Sequence, residues 1–349
     1  MSMLSDLVDI VIGVDTHKHT HTAGVIDAGT GGQLGDRTVP TDPSGFDELI
    51  EFADARDGVR VWAIEGTGGY GAGLTRHLQA RGEWVIELDR PDRPARRHGA
   101  KSDPLDAYRA AREALSRVTL ASPRAPGSRA ALSVRLAARR SAIEAATVAQ
   151  RQLNALVIAA PESLRCRLRG LSIRSMIPIA ARLRGHDSWD TETIETAHVL
   201  RALAKRIIAL ENEAAEHERA LATTIKTWRP DLLELCGVGP INAAIVLCAW
   251  SHPGRIHSDA AFAMLAGAAP IPASSGQTVR YRLNRAGDRQ LNRALHNIAV
   301  CRLRYDPTTR AYAERRRNDG KTDREIRRCL KRYIARQLFR QLERPLDNA

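Results

Sequence analysis

Apolar residues recur along this chain in two rhythms, and the change from one to the other divides it. Residues 9–15 (DIVIGVD), 20–27, 59–65 (VRVWAIE) and 84–88 are short runs rich in β-branched side chains, which predicts four strands. Residues 46–55, 74–81 and 104–115 carry helical spacing between and after them, so strands and helices alternate as in an α/β domain. The stretch Pro-Arg-Ala-Pro-Gly at 123–127 closes that domain. Beyond it the strand rhythm disappears. In 193–228, Val199, Leu203, Ile207, Leu210, Ala214, His217, Leu221 and Ile225 recur every three or four residues. In 128–159, Leu132, Leu136, Ile143, Ala146, Leu153 and Val157 do the same, interrupted by Arg139 and Gln150. One apolar seam per long helix predicts a helix hairpin or coiled coil, formed within one chain or between two. A Pro- and Arg-rich connection joins the two helices, and helical patterning resumes at Leu232 and ends in a helix over 323–342 with Arg and Lys on its polar face. The expectation is α/β plus α in three domains: 1–121, a helical 122–230 and a mostly helical 231–349.

Charge sorts the same segments. The 349 residues hold 53 Lys and Arg against 40 Asp and Glu, a net charge of +13. Residues 1–121 carry 14 basic and 19 acidic side chains, whereas 122–230 carry 18 against 10 and 231–349 carry 21 against 11. That excess exceeds what solubility requires and points the last two thirds toward a polyanion, with nucleic acid the expected partner. No apolar run approaches the roughly 20 residues of a bilayer span, and the first residues lack the pattern of a secretory signal. A cytoplasmic protein with no membrane contact is expected. Cys166, Cys236, Cys248, Cys301 and Cys329 are scattered with no CxxC pair, which excludes a disulfide framework and a thiolate zinc site.

Four acids carry the candidate chemistry. Asp15 and Glu65 each close a strand, and Asp103 and Asp106 stand three apart at the start of a helix in KSDPLDA, a spacing that shares one helix face. Singly, these are strand-end surface groups, a helix cap and a first-turn carboxylate. Gathered at one sheet edge they repel one another, and divalent cations with hard oxygen ligands relieve that repulsion. Two such ions about 3.5–4 Å apart clamp the attacking and leaving oxygens of a phosphodiester. Gly66, Gly68 and Gly71 also form a GxGxxG after a strand, with Glu87 and Asp89 ending the next one, as in dinucleotide sites. A dinucleotide fold gives no reason for the downstream charge or the KSDPLDA box, so that reading ranks lower. His17, His19 and His21 alternate along a strand start, which suggests either transition-metal binding or, ranked first, surface histidines beside the acidic edge. The Gly-Val-Gly-Pro turn at 237–240 either offers N–H groups to a phosphate or simply packs. Arg280, Arg282, Arg285, Arg289 and Arg293 are candidate phosphate contacts, with Asp288 orienting one of them. Tyr281, Tyr305 and Tyr312 are the nearby candidates for base stacking.

At these residues the sequence resembles the DEDD transposases, or recombinases, of the insertion-sequence 110 family. IGVDTHKHTHTAGVID, AIEGTGGYG and AKSDPLDAYRAA look like the family's N-terminal RuvC-like blocks. LLELCGVGPINAA, AMLAGAAPIPASSGQT and RLNRAGDRQLNRAL look like its C-terminal blocks, and all six occur in order over residues 10–340. The resemblance implies an RNase H-like (RuvC-like) N-terminal domain over 1–121, a coiled-coil middle that joins protomers, and a small helical C-terminal domain. It implies Asp15, Glu65, Asp103 and Asp106 as ligands of Mg²⁺, two ions with Mn²⁺ as a substitute. Ser275 corresponds to the family's nucleophilic serine, with Ser274 as the alternative one residue away. The further implications are a covalent phosphoserine intermediate, double-stranded donor and target DNA, a noncoding bridge RNA that pairs with both, and a dimer that becomes a tetramer at synapsis, working in the bacterial cytoplasm at the nucleoid. The competing readings are a metal-dependent Holliday-junction endonuclease that uses water, and a noncatalytic nucleic-acid-binding protein.

Overall fold

β-Branched and aliphatic residues of the first third build one mixed sheet. In this computed structural model, which describes residues 3–88, 102–273 and 280–345, the chain forms two compact units, Met1–Ala125 and Pro126–Ala349. The first unit runs β1 (Ile10–Thr16), β2 (Thr20–Asp27), β3 (Gln33–Pro40), α1 (Pro43–Asp54), β4 (Arg60–Glu65), α2 (Ala72–Ala80), β5 (Val85–Leu88) and α3 (Asp103–Ser116). The sheet order is β3-β2-β1-β4-β5, antiparallel from β3 to β1 and parallel from β1 to β5. This mixed α/β arrangement is compatible with an RNase H-like domain. With two of its four strand pairings antiparallel, it differs from the mostly parallel doubly wound sheet that dinucleotide sites use.

Strand periodicity of two sorts the side chains between two layers. Ile10, Ile12, Val14, Trp62 and Ile64 pack with Phe46 and Leu49 of α1 and Leu74 and Leu78 of α2. Val11, Val61, Ala63 and Ile86 face the other way, onto Tyr108, Ala110, Ala111 and Ala114 of α3. Gly13 lets α3 cross β1 at backbone distance, since a Cβ there would stand 2.1 Å from the Ala107 carbonyl oxygen and 2.4 Å from the Ala111 nitrogen. Gly24 has a similar role under Tyr108, where a Cβ would stand 2.9 Å from the ring. Because the obstruction at Gly13 is backbone, no rotamer relieves it. Gly13→Ala is therefore expected to cost about 3 kcal/mol, the upper end for overpacking, measured as a lower urea midpoint; an unchanged midpoint would contradict this packing.

The second unit runs α4 (Ser128–Ala159), α5 (Glu162–Leu168), α6 (Ile173–Ala180), α7 (Thr191–Trp228), α8 (Pro240–Trp250), α9 (Asp259–Leu265), β6 (Ile271–Pro272), β7 (Tyr281–Arg282), α10 (Arg289–Tyr305), α11 (Pro307–Asn318) and α12 (Asp323–Glu343). Helices α4 and α7 pack antiparallel, tied by Arg139 to Glu218 at 3.1 Å and Gln150 to Glu211 at 2.9 Å. Their buried faces use Ala142, Ala146, Ala149 and Leu153 against Leu200, Leu203, Ala204 and Ile207. Ile143 and Val199, placed on the seams by spacing, are 40% and 44% exposed. The smaller alanines take their place. The Pro- and Arg-rich connection is folded as α5 and α6, whose Leu164, Leu168, Met176 and Ile177 share a core with Leu153 and Leu200. At the other end, Leu132, Leu221 and Ile225 join Trp250, Phe262, Leu295 and Leu338, so segments 122–230 and 231–349 share one core. Among the described residues, no helix is long and apolar enough to cross a membrane.

Candidate functional site

The same period of two that builds the sheet aims Asp15 toward α3. Val11 lies on the α3 face and Gly13 touches it, and Asp15 follows two residues on. Val14 pairs in register with Ile64, so Asp15 and Glu65 come next on adjacent parallel strands. Val61 and Ala63 belong to the α3-side core, which assigns Glu65 to that face as well. Asp103 and Asp106 stand in the first turn of α3, where the helix dipole favours negative charge. Thus one close helix–strand crossing, permitted by Gly13, brings the start of α3 to the end of β1.

Asp15 and Asp103 meet around an imidazole. His17 Nε2 lies 3.1 Å from Asp15 Oδ2 and 3.6 Å from Asp103 Oδ1. The three potential ligand atoms fall within 4.8 Å of one another, the one such grouping found among the described residues. The Asp106 carboxylate accepts from Arg109 at 2.7 Å, and its charge still reaches Asp15. Glu65 is not a member of the grouping of three; its backbone oxygen accepts from Thr16 Oγ1 at 3.1 Å, locking the two strand ends together. The structure therefore gathers Asp15, Asp103 and Asp106, and sets Glu65 at the neighbouring strand end on the same face.

The three histidines part company. His19 is exposed, whereas His21 is fully buried and stacks on Phe46 with ring centroids 5.8 Å apart. His17 joins the acids. The reading as surface groups beside the acidic edge holds for His19 as a surface group and for His17, which is 43% exposed and beside two acids, and fails for His21, which the sheet buries.

Burial pushes the Asp15 carboxyl above its usual range; His17 opposes that by charge and hydrogen bond, and the Asp103 and Asp106 charges push it further up. The donor set suits a divalent cation, which would relieve this repulsion with hard carboxylate oxygens. A carboxyl whose pKa rises on folding favours the folded state while protonated. That contribution is complete below the ordinary 3.8 and is lost as pH climbs through the raised value. Asp15→Asn is accordingly expected to raise the melting temperature of the metal-free chain at neutral pH, with the gain shrinking on acidification. A lower melting temperature at neutral pH would contradict the strain.

In the second unit, Ser274 and Ser275 lie outside the described residues. On either side of them β6 and β7 pair antiparallel, and Ala273 N donates to Arg280 O at 2.8 Å. Below that hairpin, Asn284 Nδ2 donates to Met264 O at 2.9 Å and Asn292 Nδ2 to Ala266 O at 2.7 Å. Gly267 and Gly287 touch backbone to backbone, since a Cβ on Gly287 would stand 2.3 Å from the Gly267 nitrogen. Arg280, Arg282, Arg285, Arg289 and Arg293 are all exposed, the last two on one face of α10. Asp288 does not orient any of them as expected, because its carboxylate caps α10, accepting from Gln290 N at 2.8 Å and Leu291 N at 3.0 Å. Tyr281 and Tyr305 are exposed, while Tyr312 packs edge-on against Tyr333. In the Gly-Val-Gly-Pro turn, a Cβ on Gly237 would stand 3.1 Å from Ile298 O in α10, whereas one on Gly239, which precedes α8, would meet nothing within 4 Å.

Two family models match the chain. One, described as "Transposase" and named DEDD_Tnp_IS110, covers residues 12–159; the other, described as "Transposase IS116/IS110/IS902 family", covers residues 230–314. The chain is 32% identical over 129 residues to the "Insertion element IS900 uncharacterized 42 kDa protein" of Mycobacterium paratuberculosis, covering 36% of this chain and 32% of that protein. It is 31% identical over 127 residues to the "Insertion element IS110 uncharacterized 43.6 kDa protein" of Streptomyces coelicolor, covering 36% of this chain and 31% of that protein. The chain thus spans about a third of the length of the curated relatives it matches. The N-terminal match covers the sheet from Ile12 onward, the start of α3 and all four acids, and the C-terminal one covers β6, β7 and α10. By these two matches, in the order the chain presents them, the protein belongs to the IS110 family of insertion-element transposases.

Proposed function

We propose that this chain is the transposase of a bacterial insertion element, a site-specific recombinase that cuts and rejoins double-stranded DNA. The observation that carries the reading is the meeting of Asp15 and Asp103 at the end of β1, within a chain whose family models are transposases. Asp15, Glu65, Asp103 and Asp106 would hold two Mg²⁺ ions, or Mn²⁺ in their place. When bound, the ions supply Lewis acidity at the scissile phosphate and lower the proton affinity of the attacking hydroxyl. Ser275, or Ser274 beside it, is the nucleophile: its Oγ loses a proton and bonds to phosphorus as the bond to the 3′-oxygen breaks. The resulting phosphoserine keeps the bond energy, so strands are exchanged and resealed without ATP.

Donor and target duplexes are the substrates, and a noncoding bridge RNA that pairs with both reads their sequence while the protein grips backbones. The long α4 and α7 helices join protomers as a coiled coil into a dimer and, at synapsis, a tetramer. The work is done in the bacterial cytoplasm. Arg280, Arg282, Arg285, Arg289 and Arg293 contact phosphates. Removing Arg280 or Arg285 is expected to weaken DNA binding and to flatten the salt dependence by about one unit of slope per lost phosphate contact, read by fluorescence anisotropy across a salt series. A slope unchanged in both variants would place the phosphates elsewhere.

The experiment that tests the whole reading is a denaturing gel of labelled donor DNA with the full chain, bridge RNA and Mg²⁺. A DNA–protein adduct that requires the metal supports the serine pathway. Metal-dependent cutting with no adduct overturns it in favour of a junction endonuclease using water.

A further inference from the structure

We propose that His17 is a nitrogen ligand of the divalent-cation site and that it makes this site take Mn²⁺ in preference to Mg²⁺. The inference rests on the reading that Asp15 and Asp103 hold metal, and concerns which ion they hold.

The geometry is that of a donor set. His17 follows the last residue of β1, and its ring turns back to the Asp15 carboxylate while Asp103 reaches it from α3. The ring's backbone is fixed, since His17 N donates to Thr20 O at 3.1 Å and Thr41 Oγ1 donates to His17 O at 3.5 Å. Ligands at right angles around an ion with bonds of about 2.1–2.2 Å lie roughly 3.0–3.1 Å apart. The Nε2 atom stands 3.1 Å from the Asp15 oxygen, one such edge, and 3.6 Å from the Asp103 oxygen, and all three atoms lie within 4.8 Å of one another.

An all-oxygen site suits Mg²⁺, whose hard, strongly hydrated ion gains little from imidazole. A site of carboxylates plus one imidazole suits a first-row transition ion that accepts both donor types. Mn²⁺ fits the oxygen-rich remainder of this site, namely Asp15, Asp103 and the neighbouring Asp106. The nearby cations Lys18 and Arg109 do not substitute for the ring: Lys18 is exposed, and Arg109 is engaged with Asp106 at 2.7 Å.

The test loads the full chain with Mn²⁺ and records electron spin-echo envelope modulation, which detects a directly bonded imidazole nitrogen. Mn²⁺ and Mg²⁺ affinities are titrated alongside, in the wild type, His17→Gln and Asp15→Asn. The wild type is expected to show the nitrogen modulation. His17→Gln, which keeps a polar side chain of similar reach, is expected to lose the modulation and to bind Mn²⁺ about tenfold more weakly, with Mg²⁺ affinity changed less than about twofold. Modulation that persists in His17→Gln, or is absent from the wild type while Asp15→Asn still abolishes Mn²⁺ binding, overturns the proposal and leaves the metal site standing. A gain in Mg²⁺ affinity in His17→Gln also overturns it, because the ring would then be a resident cation in the metal's place. If the wild type binds no Mn²⁺, or Asp15→Asn binds it equally well, the underlying metal reading falls instead.

Discussion

Asp15→Asn is expected to reduce recombination by about 10³-fold or more while leaving DNA affinity unchanged or slightly higher. Asparagine preserves the size of the side chain and its hydrogen-bonding reach to His17, so the strand end and the crossing at Gly13 have no reason to move. What disappears is the charge at the centre of the cluster, on the most enclosed of its acids at 17% side-chain exposure against 47% for Asp103. Metal binding requires the deprotonated ligand, and loss of that ligand removes the stabilisation of both attacking and leaving oxygens. On the proposed function, grip on the DNA backbone comes from the basic last two thirds of the chain, which this substitution does not touch. A recombination assay paired with anisotropy reads the two effects separately. Retained recombination in Asp15→Asn would remove the cluster from the chemistry.

Ser275→Ala is expected to eliminate the covalent DNA adduct completely, because alanine has no oxygen with which to form the phosphoserine bond. Ser274→Ala is expected to leave the adduct in place, and peptide mapping of the wild-type adduct is expected to find the modified residue at Ser275. Each substitution removes a single oxygen atom and leaves the rest of the sequence unchanged. An adduct that survives Ser275→Ala and disappears in Ser274→Ala would move the nucleophile one residue. An adduct that survives both would exclude the serines altogether.

How much of this was legible depends on which force placed each element. The strands carrying Asp15 and Glu65 were visible because their flanking residues are buried on both faces: Val11, Ile12, Val14, Val61, Trp62 and Ile64 are fully buried, and such runs stand out. Helix α4 was predicted at its observed bounds of 128–159 since a glycine precedes it and a proline follows. Strand β3 was not visible. It is an edge strand held by backbone pairing to β2, with Val39 as its one buried side chain, so its hydrophobic pattern is nearly silent. Helices α5 and α6 were hidden by Pro161, Pro178 and a density of arginine that reads as loop; five buried apolar side chains in the two helices overcome that. His17 was legible as one of three alternating histidines beside an acidic strand end, but which of them meets a second acid depends on where α3 comes to rest. Gly13 decides that, and a lone glycine in a strand does not announce which helix will cross it.

The proposed function requires that four acids distant in the chain surround shared divalent ions. Its most direct measurement is iron-mediated hydroxyl-radical cutting of the protein's own backbone, in which Fe²⁺ replaces Mg²⁺ and cleaves peptide bonds close to the bound ion. Cuts confined to the segments around residues 15, 65 and 103–106, suppressed by excess Mg²⁺ and absent in Asp15→Asn, are the predicted result. Cuts at unrelated segments, or the same cuts in Asp15→Asn, would contradict the account.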